Sequence, residues 1–518
     1  MAEKPVWYSG VKKSADGFSI PVAADGRAFH SLYGARREAQ AFVDRLPQEG
    51  FVVFAGLGAA LHVKEFLNRW PDRRCLVAEA DKEAVIQLRA LTGDHGLAGF
   101  SGFCGIAAGP DELAVLLQQS WLPALDGPVT VAPLRPFTEI FPDSWRALLS
   151  VFNSTVERIG QDFSVQAFFG KLWHRNILAN LFYLSAHENA MFPDWHGERV
   201  AVAAAGPGLQ TLLDRNIGGS QDSSTGFQRL VAVDTALPVL LGHGIKVDAV
   251  ISIDPQIHSQ KHFLSGIPAD CLPVFDLGSN PGLARTAFAN GIKPLFTIGR
   301  HPLAAVAAQF YSFPVLQSGT GTVTIAAADF ARQAGAAEIQ FYGADFSCPR
   351  AVPYVPGTYL DAVFSAMQTR LEPITTAFTS LVFRDTVIRR IEGTHSVYYS
   401  PLLDRYRAGL EYWADEYGMI LENIDGFRRA RFKPVHDRPV SGHDSPNKSR
   451  LQANRLFPFD DFLAAAAAAW KQDALHAENR TNPWLYALLP FMAWCSRTDH
   501  TDVFQLAQAR IARYTGVS

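Results

Sequence analysis

Apolar positions along this chain follow two alternating rhythms. Short unbroken apolar runs that end in glycine or aspartate alternate with longer stretches in which apolar residues recur every three to four positions. FVVFAGLG (51–58) is a run of the first kind, LHVKEFLNRW has helical spacing, and RCLVAEAD (74–81) is the next run, which together make a βαβ unit. The rhythm returns from about Glu198 to Asp425, with runs VAVAAA, RLVAVD, DAVISID, CLPVFDLG, KPLFTIG, FPVLQSG, EIQFYGADF and MILENID. Between them lie helical patterns such as TVTIAAADFARQAG (322–335), closed by Gly335 as a helix C-cap. Strands alternating with helices predict the α/β class: two Rossmann-like parallel-sheet domains plus a small C-terminal helical domain.

The pattern also suggests boundaries. SVQAFFGKLWHRNILANLFYLSAHEN (164–189) reads as one long helix joining two α/β units. The expected division is 1–163 for an N-terminal Rossmann-like domain, 164–197 for the connecting helix, 198–427 for a central α/β domain, and 428–518 for a linker and helices. FRRARFKPVHDRPVSGHDSPNKSR (427–450) reads as a basic, proline-rich linker, and the alanine run after DDFL as a helix.

Composition narrows the function classes. The 518 residues are 48% apolar and 19% charged with a net charge of −3, the mix of a globular protein too long for one core. That balance leaves no electrostatic footprint for nucleic acid. Five scattered cysteines without CxxC spacing point to a reducing compartment and away from a structural zinc site. No run reaches the roughly 18–20 apolar residues of a bilayer span, and the first residues hold no secretory apolar core. A cytoplasmic protein is expected.

The chemistry-bearing residues cluster at strand ends. Gly206-Pro207-Gly208 follows VAVAAA and precedes LQTLLDRN, so a nucleotide could approach the backbone there. No Walker lysine follows. Asp234, with Thr235 after it, Asp254 and Asp345 close three further strands, where carboxylates bind ribose hydroxyls, hold Mg2+, act as bases or simply cap helices. Ser279-Asn280 and Ser318-Gly319-Thr320 offer hydroxyls, an amide and open N–H groups to a ligand. The loop SCPRAVPYVPGTYLD after Phe346 carries Tyr354, suited to a leaving phosphate, and His395 is the histidine placed nearest that edge. In the first unit Gly56 and Gly58 match two glycines of GxGxxG, Leu61 breaks the third, and Glu79 lies about 20 residues on.

At these residues the chain resembles the motility accessory factor (Maf) family of flagellin glycosyltransferases. GPGL…AVDTALPVLLGHGIKVDAVISIDPQ and SGTGTVTIAAADFARQAGAAEIQFYGADFS carry the likeness, with HSLYGARREA, FAGLG and KLWHRNILANL adding to it, over about residues 30–430. The same core domain occurs in archaeal 6-hydroxymethylpterin pyrophosphokinases and is similar to bacterial sialyltransferases. The resemblance implies a CMP-activated nonulosonic acid as donor and flagellin Ser/Thr as acceptor. It places Gly206, Gly208, Asp234 and Ser318 to Thr320 on the nucleotide, Tyr354 on the leaving phosphate and His395 as base. Ser347 stands where such enzymes carry a second tyrosine.

Three functions follow. An inverting, CMP-sugar-dependent glycosyltransferase would use His395, Tyr354 and Asp254, require no cofactor and admit Mg2+ only as an addition. A pterin pyrophosphokinase would use Mg-ATP with Asp234, Asp254 or Asp345 as metal ligands. A non-catalytic motility accessory protein would keep only the scaffold. A homo-oligomer is open in each case.

Overall fold

The computed structural model describes residues 6–215, 226–318, 321–384, 386–392, 394–424, 427–432, 456–471, 482–498 and 502–514. The chain forms two compact units, residues 1–171 with 469–509, and 172–468 with 510–518. The helix Pro142–Ala186 begins in the first and ends in the second, 22 residues earlier than its apolar stripe suggested.

In the first unit, β1 (Tyr8–Lys13) and β2 (Ser19–Ala23) form an antiparallel hairpin. Strands β3 (Phe51–Ala55), β4 (Cys75–Glu79), β5 (Phe103–Ala108) and β6 (Val129–Pro133) make a parallel sheet in the order β5-β4-β3-β6. Every residue of β3 and β4 is buried, which explains why they read as continuous apolar runs. The helix Pro483–Arg497 returns to this unit. A side chain at Gly170 would collide with the Pro490 carbonyl, so glycine permits that backbone approach.

The second unit holds an eight-stranded sheet. Its strands are β7 (Arg199–Ala203), β8 (Arg229–Val233), β9 (Ala249–Ser252), β10 (Leu272–Asp276), β11 (Leu295–Thr297) and β12 (Glu338–Tyr342). Between β12 and the helix Pro401–Glu416, β13 (Cys348–Pro349), β14 (Ile388–Glu392) and β15 (His395–Tyr399) form a small antiparallel sheet. It is accompanied by helices Tyr359–Met367 and Thr-rich Ile374–Val382. Strands β16 (Met419–Ile424) and β17 (Phe427–Phe432) then complete the large sheet, in the order β11-β10-β9-β8-β7-β12-β17-β16. The six strands β7 to β12 are mutually parallel, and β17 joins β12 antiparallel.

Both α/β units and the helical C-terminal region match the expected class. Several details differ. FPVLQSG makes only an isolated bridge, Ile298 to Val315, because a proline and a half-exposed run leave it at the sheet edge. Residues 427–432, expected to open a linker, are instead a strand whose arginines pair with Glu422 on β16. The rest of the expected linker, 433–455, lies outside the described residues. The C-terminal helices divide between the two units.

The helix Val323–Gln333 explains much of the second unit's cohesion. Eight of its eleven residues are buried, and Asp329 among them is fully enclosed. Its carboxylate accepts from the Gln317 N–H, Arg332, Gln333 and the Trp413 indole, so the charge is paired rather than stranded.

Candidate functional site

From β7 the chain proceeds outward through β8, β9, β10 and β11, then crosses back to place β12 on the other flank of β7. The crevice beyond the carboxyl ends of β7 and β12 is therefore the topological switch point, where open α/β sheets bind ligands. Backbone pairing continues past the strands there, from the Ala204 N–H to the Tyr342 carbonyl (2.8 Å) and from Gly206 to Gly343 (3.0 Å). The next rung is different. The Gly208 N–H donates to both carboxylate oxygens of Asp345, at 3.0 and 3.2 Å. A side chain at Gly206 would collide with Asp345 Oδ2, and one at Gly208 would lie 2.6 Å from Oδ1. The glycines of the turn thus make room for the chain's own carboxylate. Burial raises the Asp345 pKa, opposed by the Gly208 hydrogen bond and the nearby Arg428 charge.

Two strands along, Asp234 is buried with both oxygens engaged. Oδ1 accepts the Thr235 N–H and hydroxyl at 2.7 and 3.0 Å, and Oδ2 accepts the Ser252 hydroxyl at 2.7 Å. Asp254 Oδ1 accepts the Gln256 N–H at 2.8 Å. Burial raises the Asp254 pKa and the charge of Asp234 adds to it, while His262 and His258 pull it down. His262, in the short 3-10 helix Ile257–Phe263, is buried within electrostatic reach of both carboxylates. Burial lowers its pKa, and Asp234 and Asp254 act to raise it. Its Nδ1 is sealed without a hydrogen-bond partner, and its ring meets Tyr359 edge-on at 4.6 Å.

Beside this group lies a cavity of about 310 Å3. Gly206, Thr235, Asp345 and Tyr354 line it, as do Thr322 and Thr324 from the segment after Ser318. Thr235 connects the cavity to the carboxylates through its bond to Asp234, and burial raises the Tyr354 pKa, with smaller contributions from Tyr359, Cys348 and Asp234. Cys348 on the wall has its thiol pushed up to about 11 by burial, so it stays protonated and unreactive at neutral pH.

The other sequence candidates lie as follows. Asn280 caps the helix Pro281–Ala289, accepting the Gly282 N–H at 2.9 Å and Gln260 Nε2 at 2.8 Å, while its own N–H reaches the Asp254 carbonyl at 3.1 Å. Ser279 is buried, and its N–H donates to the Asp276 carbonyl. Pro207 opens the one-turn 3-10 helix Pro207–Leu209. The Ser318 carbonyl accepts from Gly321 and Thr322, and Gly319 and Thr320 lie outside the described residues. His395 is exposed on β15, with its ring against Arg350 and Thr394, and it does not line the cavity. Sequence reasoning passed over His262 because HSQKHF carries no motif. Its position eight residues after a strand-end aspartate was the available signal.

Two asparagines of KLWHRNILANL hold these loops in place. Asn176 Nδ2 donates to the carbonyls of Pro255 and Gly278 at 2.9 and 3.0 Å, and Asn180 Nδ2 to those of Leu277 and Ser279 at 2.8 and 3.0 Å. Their burial in a helix pattern is explained by the loop carbonyls they satisfy.

Among the described residues no three His, Cys, Asp or Glu side chains are grouped to hold a metal. Of the expected Mg2+ ligands, Asp234 has both oxygens hydrogen-bonded within the protein and Asp254 has Oδ1 so engaged. No described helix is long and apolar enough to cross a membrane.

The glycine turn of the first unit is filled in the same manner. Glu79, fully buried, accepts the Leu57 N–H at 2.9 Å and the Tyr8 hydroxyl at 3.2 Å, and burial pushes its pKa up to about 7. A side chain at Gly56 would strike Phe137, and one at Gly58 would strike His30. Phe137 and His30 thus pack directly against the two glycines of this turn.

Known proteins place this geometry in context. A family model named 6-hydroxymethylpterin diphosphokinase MptE-like matches residues 175–350. An uncharacterized protein of Treponema pallidum (strain Nichols) is 28% identical over 262 residues, which cover 49% of this chain and 80% of that one. A second from the same organism is 36% identical over 141 residues, 27% of this chain and 64% of its own. The solved structure of MAf glycosyltransferase from Magnetospirillum magneticum AMB-1 matches with a TM-score of 0.55 at 12% identity, covering 99% of this chain and 91% of that one. The resemblance to Maf proteins with an MptE-like core is therefore present, and at that identity the structural likeness is one of fold.

Proposed function

We propose that this protein is a glycosyltransferase that moves a nonulosonic, sialic-acid-like sugar from a CMP-activated donor to a Ser or Thr hydroxyl of flagellin. The observation that carries the reading is the pairing of a nucleotide-sized cavity at the switch point with the adjoining Asp234–Asp254–His262 group through Thr235 and Tyr354. The full-length fold likeness to a MAf glycosyltransferase supports it.

In this reading CMP fills the cavity and the anomeric carbon faces the carboxylates. Because His262 Nδ1 is sealed, Nε2 is the nitrogen left to meet a substrate. It takes the proton of the acceptor hydroxyl as the oxygen attacks the anomeric carbon. The bond from that carbon to the phosphate oxygen breaks, and CMP leaves with the electron pair. Asp234 and Asp254 stabilise the imidazolium so formed, and Asp254 also offsets positive charge on the sugar. Tyr354 donates its hydroxyl proton as a hydrogen bond to the departing phosphate; its raised pKa keeps it a donor. We assign the base to His262 in preference to His395, whose ring is exposed beside Arg350.

The test is mass spectrometry of flagellin incubated with the full chain and a CMP-nonulosonic acid. A mass increase equal to one sugar per modified hydroxyl, with CMP released, is expected. No transfer to flagellin while the donor is bound would remove this acceptor.

The MptE-like match over 175–350 favours a second reading, pyrophosphoryl transfer from ATP to a pterin alcohol. Here Mg2+ would supply charge neutralisation on the triphosphate, and the chain's residues would position the alcohol. AMP formation that depends on added hydroxymethylpterin would select it over sugar transfer.

A further inference from the structure

The glycine turn at the switch point is built as an anion cradle, but its anion is already there. The Gly208 N–H is spent on Asp345, and the carboxylate occupies the space that the two missing side chains leave open. A phosphate brought to the same turn would find its N–H donor taken and a carboxylate in its path. Like charges at hydrogen-bond distance in a partly buried pocket repel strongly. A ligand group that donates hydrogen bonds meets the opposite situation, since a carboxylate accepts at several lone-pair positions beyond those facing Gly208.

The charges of the cavity are distributed to match. Its lining contains one acidic side chain, Asp345, and one cationic side chain, Arg384, with hydroxyls such as Thr235 and Tyr354 among the rest. Arg384 and Tyr354 both line the cavity, and the Arg384 charge acts to lower the Tyr354 pKa that burial raises. Arg428, which also feels Asp345, is itself seated over the Phe346 ring at 5.6 Å.

We propose that Asp345 sets the orientation of the bound nucleotide: its carboxylate recognises a hydrogen-bond-donating group, a ribose diol or an exocyclic amine, at the Gly206–Gly208 turn, while the phosphate lies away from that turn, toward Arg384 and Tyr354. This reverses the usual placement of phosphate on a glycine turn. It rests on the reading that the cavity holds a nucleotide, and it adds the direction in which that nucleotide enters. It also places the phosphate beside the phenol that the transfer step requires.

The experiment measures binding to the full chain by calorimetry, using cytidine and CMP, adenosine and ATP, and inorganic pyrophosphate. Two variants are compared with wild type: Asp345→Asn, which keeps an acceptor for the Gly208 N–H, and Arg384→Met, at an exposed position. Asp345→Asn is expected to weaken nucleoside and nucleotide alike by tenfold or more. Arg384→Met should weaken the nucleotide by a similar factor and leave the nucleoside within twofold. Pyrophosphate should not displace a bound nucleoside. Unchanged nucleotide affinity in Asp345→Asn would overturn the orientation alone. Failure of wild type to bind either nucleotide would overturn the nucleotide reading together with it. If Asp345→Asn does not fold, the Arg384→Met comparison decides: equal losses for nucleoside and nucleotide would sink the proposal.

Discussion

Asp345 and Gly208 lie on adjacent strand ends 137 residues apart in sequence, and the Gly208 N–H holds the Asp345 carboxylate at 3.0 Å. This contact joins the two arms of the sheet at the point where the chain reverses direction. Gly208→Ala would set a methyl group 2.6 Å from Asp345 Oδ1, expelling the carboxylate and stranding the N–H. A loss of about 1–3 kcal/mol is expected in denaturant unfolding. Asp345→Ala added to Gly208→Ala should cost less than the sum of the two, because both remove one interaction. Strict additivity would show that the contact contributes nothing.

Catalytic assignment separates two histidines. If His262 accepts the acceptor's proton, His262→Gln should lower turnover by about 10^2–10^4-fold with donor affinity nearly unchanged. The loss at His395→Gln should be far smaller. Single-turnover transfer with donor titration reads both quantities, and the reverse ranking would return the role to β15.

Asn180 donates to two buried loop carbonyls, those of Leu277 and Ser279. Asn180→Ala leaves both without their donor and should destabilise the protein by about 2–3 kcal/mol. The same loop carries Asn280, whose N–H meets the Asp254 carbonyl. Donor binding should therefore weaken even at temperatures where the variant is fully folded, which a Kd measurement well below Tm checks.

Glu79 links the first unit to pH. Its folded pKa of about 7 lies above the ordinary glutamate value of 4.5, with burial as the main cause. The folded state thus binds the proton more tightly than the unfolded chain. That contribution is fully present below about pH 4.5 and is lost as pH rises through 7. A shift of this size corresponds to about 3 kcal/mol. Glu79→Gln, which stays neutral, should lose less stability than wild type between pH 5 and 8. Parallel pH profiles for the two proteins would contradict the assignment.

The class of the protein could be read from its pattern because fully buried parallel strands leave no room for polar residues. VAVAAA, RLVAVD and DAVISID therefore announced β7, β8 and β9. The same logic gave the strand-end position of Asp234, Asp254 and Asp345. Where burial is incomplete the pattern misled: FPVLQ at the sheet edge is apolar yet forms one bridge, and FRRARF is basic yet pairs fully with β16. Backbone pairing answers to neighbours, and Arg429 and Arg431 on this inner strand are neutralised by Glu422 on the edge strand beside it.

Sequence alone determined which residue types reach the carboxyl edge, because strand length and the turn residues that end each run are local properties. Their partners were decided only by the tertiary structure. Strand order places β12 against β7, so Asp345 fills the glycine turn, and the 3-10 helix after Asp254 brings His262 within electrostatic reach of the aspartates. Hydrogen bonds between residues far apart in sequence depend on sheet order and on burial, which local spacing does not specify.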